Sequence, residues 1–447
     1  MYPALCQRAE SAWPGRYIID YLRNGIEWAG AQVLRGRELA SMFRNRKLAT
    51  LFFTMVVMML GFGIIIPIMP FYVQHFGAGG TQLGALLALF SVMQFIFSPF
   101  WGSLSDRYGR KKVMMIGVIG NAVSLLAMGL AQHLWVLFAA RAIEGMISAA
   151  TMPTAMAYIS DSTTDEERSS GMGVIGAAMG IGMVLGPGMG GWLSAQSLSF
   201  PFFLAASMSF LSLAMIWFVL PESLPLEKRA APARRFRGPQ LSALWQALLG
   251  PLGFLMVLAF LVNFALANFE VIFGLFADKR YGYGPAQVGT VMVVVGIISS
   301  LVQMLLTGPA SRRLGEGNVI KLALFGTAAG FGFMLLAPNN ILVPISVGFF
   351  VFANAMLRPS IASLTSQKAR GGHGAALGLN NSFQSLGRAV GPIWAGSLFD
   401  LHMIWPYLSG AIIVLLAFLF SLFTMRAEAA PAESLAPAPS LETFQRE

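Results

Sequence analysis

The stretch Gly102-Ser-Leu-Ser-Asp-Arg-Tyr-Gly-Arg-Lys-Lys112 places one acid and four bases between two long apolar segments. The chain has 447 residues, 56% hydrophobic and only 11% charged, so charge at this density needs a reason. Soluble globular chains carry roughly 25% charged residues. The mean hydropathy here is +0.67, which demands a surface that mostly faces lipid.

Working outward from this loop, apolar stretches recur at the length of about 20 residues that a spanning helix requires. There are twelve: 48–73, 82–104, 113–132, 134–159, 171–194, 201–220, 250–276, 287–309, 318–337, 341–365, 374–400 and 406–425. Their pattern is helical or uniformly apolar, unlike the ten-residue alternation of a membrane barrel. The expectation is an all-α integral membrane bundle, because spanning backbone must satisfy its own hydrogen bonds.

The net charge of +10 raises nucleic acid as a partner, but its distribution argues against that. Lys and Arg gather in alternate loops, as the positive-inside rule requires. Arg44, Arg46 and Lys47 precede the first span. Arg107 to Lys112, Arg168, Lys228 to Arg237, Arg312 with Arg313, and Lys368 with Arg370 occupy the even-numbered loops. Lys279 and Arg280, beside Asp278, are the exception. The expected location is the cytoplasmic membrane, with both termini cytoplasmic. Cys6 is the single cysteine, so no internal disulfide or cysteine-based metal site is available.

Residues 1–41 differ from the rest, and Met42 followed by Phe-Arg-Asn-Arg-Lys is the expected true start. Residues 42–220 form a six-span half. A Pro-rich basic linker covers 221–247, a second six-span half 248–426, and an Ala/Pro/Glu-rich tail, expected to be disordered, 427–447. An internal repeat supports this division. Shifting the first half by 206 residues carries Gly102, Ser105, Arg107, Gly109 and Pro153 onto Gly308, Ser311, Arg313, Gly315 and Pro359. Shifting by 205 carries Gly173, Gly182, Gly186, Pro187 and Gly191 onto Gly378, Gly387, Gly391, Pro392 and Gly396.

In the opening loop, Gly102 and Gly109 permit tight reversal and close helix approach. Asp106 can cap a neighbouring helix N-terminus, whose dipole favours an anion. Arg110 can pair with Asp161 at the end of the fourth span. A plain topogenic loop accounts for Arg107, Lys111 and Lys112 but not for Asp106 or the glycines. The pattern Gly-x-Leu-x-Asp-Arg-x-Gly-Arg-Lys resembles the loop 2–3 signature of the major facilitator superfamily. That resemblance implies two pseudo-symmetric six-helix halves, a substrate site between them, and a gating role for Gly102, Asp106, Arg107, Gly109, Arg110 and Asp161.

The fourth span holds Arg141-Ala-Ile-Glu144-Gly145. An arginine at a span's centre costs about 2.5–3.5 kcal/mol on insertion scales, and spacing i, i+3 lets Glu144 neutralise it. A structural pair and a proton relay both fit. The segment resembles the superfamily's fourth-helix motif, in which glutamine usually stands where Glu144 stands here. Gly176, Gly180, Gly186, Pro187, Gly190 and Gly191 in the fifth span allow close packing and a kink. Their run resembles the motif of drug:proton antiporters, which implies export.

Glu270 is the only other acid well inside a span, with no base within one turn of it. Desolvation disfavours a carboxylate's charged form, which suits a group that gains and loses protons. Its surroundings resemble the seventh helix of NorA-type and Bmr-type multidrug antiporters, which carries a functional glutamate. Met356-Leu-Arg358-Pro359 and the run from Gly378 through Asn381 and Gln384 to Arg388 also resemble that group. Relatives can carry an acid where this chain has Ala355. Asn268, Phe273, Arg358, Asn381 and Gln384 are candidate cavity residues, and Arg358 and Arg388 can balance Glu270 or bind anionic groups.

The chain has no Walker-type phosphate loop, no metal-ligand cluster among its four histidines and no catalytic cluster of an intramembrane enzyme. The expected energy source is a proton gradient, with no cofactor. The expectation is a non-enzymatic, monomeric twelve-helix antiporter that exports small amphiphilic drugs in exchange for protons. The alternatives are a narrow-substrate exporter of tetracycline-like, sugar or lipid-linked compounds, and a membrane sensor that no longer transports.

Overall fold

The computed structural model describes residues 46–229, 241–339, 341–369 and 373–425. The expected start at Met42, the extension before it, residues 230–240 of the linker and the tail from 427 lie outside the described residues. Within them the chain is helical, with no strand.

The first half runs α1 (Arg46–His75), α2 (Gly80–Tyr108), α3 (Arg110–Gly129), α4 (Leu134–Ser148), α5 (Thr151–Ser162), α6 (Asp165–Leu193) and α7 (Phe200–Val219). Helices α4 and α5 together make the fourth span. The short α8 (Leu241–Leu249) ends the linker. The second half runs α9 (Gly253–Tyr281), α10 (Pro285–Leu301), a π segment (Val302–Leu306), α11 (Thr307–Leu314), α12 (Glu316–Leu336), α13 (Leu342–Lys368), α14 (His373–Leu401) and α15 (Trp405–Thr424). Among the described residues, eleven spans meet the length and hydropathy of a membrane helix. The twelfth, α14, has 29 residues but carries Asn380, Asn381, Gln384 and Arg388 in its interior. It is long enough to cross but turns a polar face inward.

The opening stretch is less of a loop than its charge suggested. Helix α2 continues through Tyr108, Gly109 alone makes the reversal, and Arg110 already begins α3. Gly109 has φ +103°, and a Cβ there would strike the Glu222 carboxylate. Gly102 lies inside α2 with no atom within 4 Å of a Cβ placed there. The close-approach expectation therefore holds for Gly109 and not for Gly102.

The halves meet chiefly through two helix pairs, α2 against α14 and α6 against α10, with lighter contacts of α9 and α10 on α1 and of α9 on α2. Gly84 packs on the Pro392 carbonyl, and Gly396 on the backbone of Gly80 and Gly84. In the other pair, Gly289 packs on the Pro187 carbonyl and on Gly191, which also meets Pro285. Gly84, Pro392 and Gly396 correspond under the repeat to Gly289, Pro187 and Gly191, so each contact is a copy of the other. Absent side chains are what let two backbones come this close. Within the halves, Gly182, Gly186 and Gly190 seat α6 on α1, as Gly387 and Gly391 seat α14 on α9. Gly176 has no such neighbour, and Gly180 only Ser300 at 3.9 Å from a Cβ placed there. The close-packing expectation thus holds for only part of the fifth-span run.

All these cross-half approaches lie toward the end of the bundle opposite Gly109, and a polar latch closes the same end. The Asp400 carboxylate, at the end of α14, accepts from Gly80 N at 2.7 Å, Thr81 N at 2.8 Å and Thr81 Oγ1 at 2.6 Å. It caps the α2 N-terminus from the other half, where the helix dipole favours an anion. Gln74 Nε2 donates to Asp278 Oδ2 at 3.3 Å nearby. Lys279 lies over the Phe399 ring and Arg280 donates to Ala337 O, so both exceptional bases have local partners. Replacing Asp400 with Ala should loosen this closure. In a Cys6→Ser background carrying Ser91→Cys, thiol labelling from the Asp400 side should rise several-fold over the Asp400 parent.

Candidate functional site

Between the halves lies a cavity lined by Phe62, Ile65 and Ile66 of α1, Leu87 and Ser91 of α2, Arg141 of α4, Ala267, Glu270 and Val271 of α9, and Arg388 and Pro392 of α14. Its wall is apolar except for Ser91 and three charged side chains. Both halves contribute, so a ligand here would touch each of them.

On the first-half side, Arg141 NH1 donates to Glu144 Oε2 at 2.8 Å, and both side chains are almost wholly buried. The Arg141 guanidinium also stacks over Phe90 at 4.5 Å, and its Nε has no acceptor among the described residues. The i, i+3 pairing expected from the spacing forms as such.

On the second-half side, Glu270 is half-buried and makes no ion pair among the described residues. The charges within its electrostatic reach are Arg358 and Arg388, from helices α13 and α14. Arg358 NH2 donates to Gln384 Oε1 at 3.2 Å. Gln384 Nε2 donates to Asn380 Oδ1 at 2.6 Å, and Asn380 Nδ2 reaches Thr365 Oγ1 at 3.5 Å. Arg388 donates to Asn263 Oδ1 at 3.3 Å and Ser385 Oγ at 2.9 Å. Asn380, Asn263 and Ser385 were not among the expected residues. The polar interior of α14 was the signal for Asn380 and Ser385; Asn263 lies on α9, where no such pattern marks it.

None of the five expected cavity residues, Asn268, Phe273, Arg358, Asn381 and Gln384, is among those lining it. Asn268 is fully buried and donates to Phe264 O at 3.0 Å. Phe273 packs on Phe269 at 5.2 Å, within an aromatic core that continues through Phe350 to Phe331. At about 100° per residue, Asn268 points almost opposite to Glu270, so adjacency in sequence did not put it on the cavity wall. Asn381 is exposed, and Gln384 is held in the arginine network.

At the bundle end near Gly109, Arg110 Nε donates to Asp161 Oδ2 at 2.9 Å and NH1 to Ser105 Oγ at 2.7 Å. Asp106 pairs with the same guanidinium, one turn back on α2. The expected Asp106 cap of another helix is absent among the described residues. Its place at the α3 N-terminus is taken by Glu222, whose Oε1 accepts from Arg110 N at 2.7 Å, and from Ser223 and Leu224. Lys111 donates to Trp217 O at 2.7 Å near the α7 C-terminus, so it does more than set topology. The repeat inverts this cluster: Arg312 replaces Asp106, and Glu316 replaces Arg110 and accepts from Ser311 Oγ at 2.8 Å. Arg107 stacks on its neighbour Tyr108.

The sequence pattern of the Major Facilitator Superfamily matches residues 51–392. Multidrug resistance protein 2 of Bacillus subtilis (strain 168) is 32% identical over 355 residues, 79% of this chain and 88% of that protein. Quinolone resistance protein NorA of Staphylococcus aureus is 29% identical over 363 residues, 79% of this chain and 92% of that protein. Among solved structures, the nucleoside transporter NupG superposes with a TM-score of 0.71 at 14% identity, covering 85% of this chain and 99% of that one. The human organic anion transporter MFSD10 gives 0.62 at 24% identity, over 84% of this chain and 99% of that one. These two likenesses establish the fold alone.

Removing one partner of a buried pair strands the other charge, at a cost of about 3–5 kcal/mol. Arg141→Ala should therefore lower the melting temperature of the purified protein sharply. The double variant Arg141→Met with Glu144→Leu should recover most of the loss, which a thermal scan of the three proteins would check.

Proposed function

Because the chain belongs to the Major Facilitator Superfamily, we propose that it exports small amphiphilic compounds across the cytoplasmic membrane in exchange for protons, as a monomer and without enzymatic chemistry. The observation that carries this reading is Glu270, a carboxyl on an apolar cavity wall between the halves with no ion pair among the described residues. Such a group can bind either a proton or a substrate cation, and that exclusivity is the physical content of exchange. The drug-resistance names of the two sequence relatives support the same substrate class.

In this reading the basic loops and both termini face the cytoplasm. The end sealed by Gly84, Gly191 and Asp400 then faces outside, and the arrangement described above is the inward-facing one. Substrate enters from the Gly109 side and displaces the Glu270 proton into the cytoplasm. After the halves rock, Glu270 is protonated from outside as substrate leaves. Arg141 shares the cavity, and protonation of Glu144 would release its guanidinium, which makes this pair a second proton-coupling element. The Arg110–Asp161–Asp106 cluster and the Gly109 reversal act as the gate on the cytoplasmic side. The small residues of the fifth span, Gly176 and Gly180 among them, leave room for α6 to approach its neighbours in the alternate state.

Glu270→Gln keeps the shape and removes the titration. In everted vesicles its substrate-induced proton movement should vanish, while the protein still inserts and purifies as a single species. Proton exchange at the wild-type rate in that variant would overturn the assignment.

A further inference from the structure

The charges of the second half do not balance. Arg141 is matched by Glu144, but Arg358 and Arg388 share only the single carboxyl of Glu270. With Glu270 ionised, this cluster keeps a surplus of one positive charge. One turn before Arg358 on the same helix stands Ala355, so no carboxylate reaches it from there. The protein atoms that the two guanidinium groups do contact are neutral: an amide oxygen from Gln384, another from Asn263 and the hydroxyl of Ser385. Arginine carries five N–H donors. Most of those on this pair have no protein acceptor among the described residues.

The two side chains are also presented rather than hidden. Arg388 is half-exposed and lines the cavity between the halves, and Arg358 is exposed beside it, within electrostatic reach of the same Glu270. The Thr365–Asn380–Gln384 ladder turns an amide oxygen toward Arg358 and holds its guanidinium in place. A charge in a membrane bundle normally faces a partner or a water-filled path. Two oriented, accessible arginines with one shared acid form an acceptor for one more anion.

Coupling narrows the ligand further. A substrate bearing only an anion would bind better when Glu270 is protonated, since the cluster is then more positive. It would travel with the proton and not against it. A substrate bearing only a cation would compete with the proton but leave the arginine surplus unmatched. We propose that the preferred substrates are zwitterionic amphiphiles, whose carboxylate or comparable anion docks on Arg358 and Arg388 while their amine competes with the proton at Glu270. This rests on the exchange reading above and names the chemistry of that same cavity.

The test uses rhodamine B, a zwitterion with a free aryl carboxylate, and its methyl ester, a cation of nearly the same shape. Fluorescence polarisation with the purified full chain should show the acid binding at least about tenfold tighter than the ester, about 1.4 kcal/mol. Arg358→Gln and Arg388→Gln should each collapse that ratio toward one. The ratio is internal to each protein, so a partly inactive preparation does not distort it. Equal binding of acid and ester by the wild type overturns the proposal, as does a ratio that survives in both variants. Everted vesicles separate the two readings. If the ester drives proton exchange but the acid has no advantage, only this inference fails. If neither dye moves protons, the exchange reading fails with it.

Discussion

Desolvation of charge is the constraint on which this molecule is built. In hydrocarbon an ionised side chain needs a counter-charge or a route to water, and each of the charged groups discussed here meets one of those conditions. Arg141 and Glu144 satisfy each other on one helix face. Arg110 collects Asp161, Asp106 and Ser105 at the bundle end. Glu270, Arg358 and Arg388 are imperfectly matched, and Glu270 and Arg388 line the cavity between the halves. In the first two groups each arginine has a carboxylate of its own. The third is incomplete, and incompleteness is what allows a ligand or a proton to take part.

The second requirement is that the halves touch firmly yet separably. The α2–α14 and α6–α10 contacts rest on glycine against backbone, the Pro392 and Pro187 carbonyls included. Such contacts need no side chain to be dragged through the interface when it opens. The Asp400 cap of α2 adds a charge-assisted lock between the halves at the same end. Arg110, Asp161 and Glu222 form a polar cluster at the other end, inside the first half and the start of the linker.

Much of this was legible in the chain. Span count, the division into halves and the Arg141–Glu144 pair follow from hydropathy, the repeat and helical spacing, because those signals are local or are doubled by duplication. Gly84 and Gly289 obey the same repeat but stand alone among ordinary residues, so nothing marked them. Asp400 and Glu222 each cap a helix more than a hundred residues away in sequence, and no local pattern announces such a partner. Asn268 and Phe273 misled because neighbours of Glu270 in sequence fan out around the helix, and only the face toward α2 and α14 meets the cavity.

By itself, then, the sequence determined that the chain spans the membrane as two duplicated helical halves and which buried charges it must accommodate, since burial energies act residue by residue. Only the tertiary structure decided which charges on different helices are matched. Pairing between helices depends on distance and direction that the chain order does not encode. It joined Arg110 to Asp161 and left Glu270 with two arginines in its electrostatic reach and no ion pair among the described residues. It also showed that the charged stretch at 102–112 turns on Gly109 alone, because that residue's positive φ and the Glu222 carboxylate against it leave no room for a side chain.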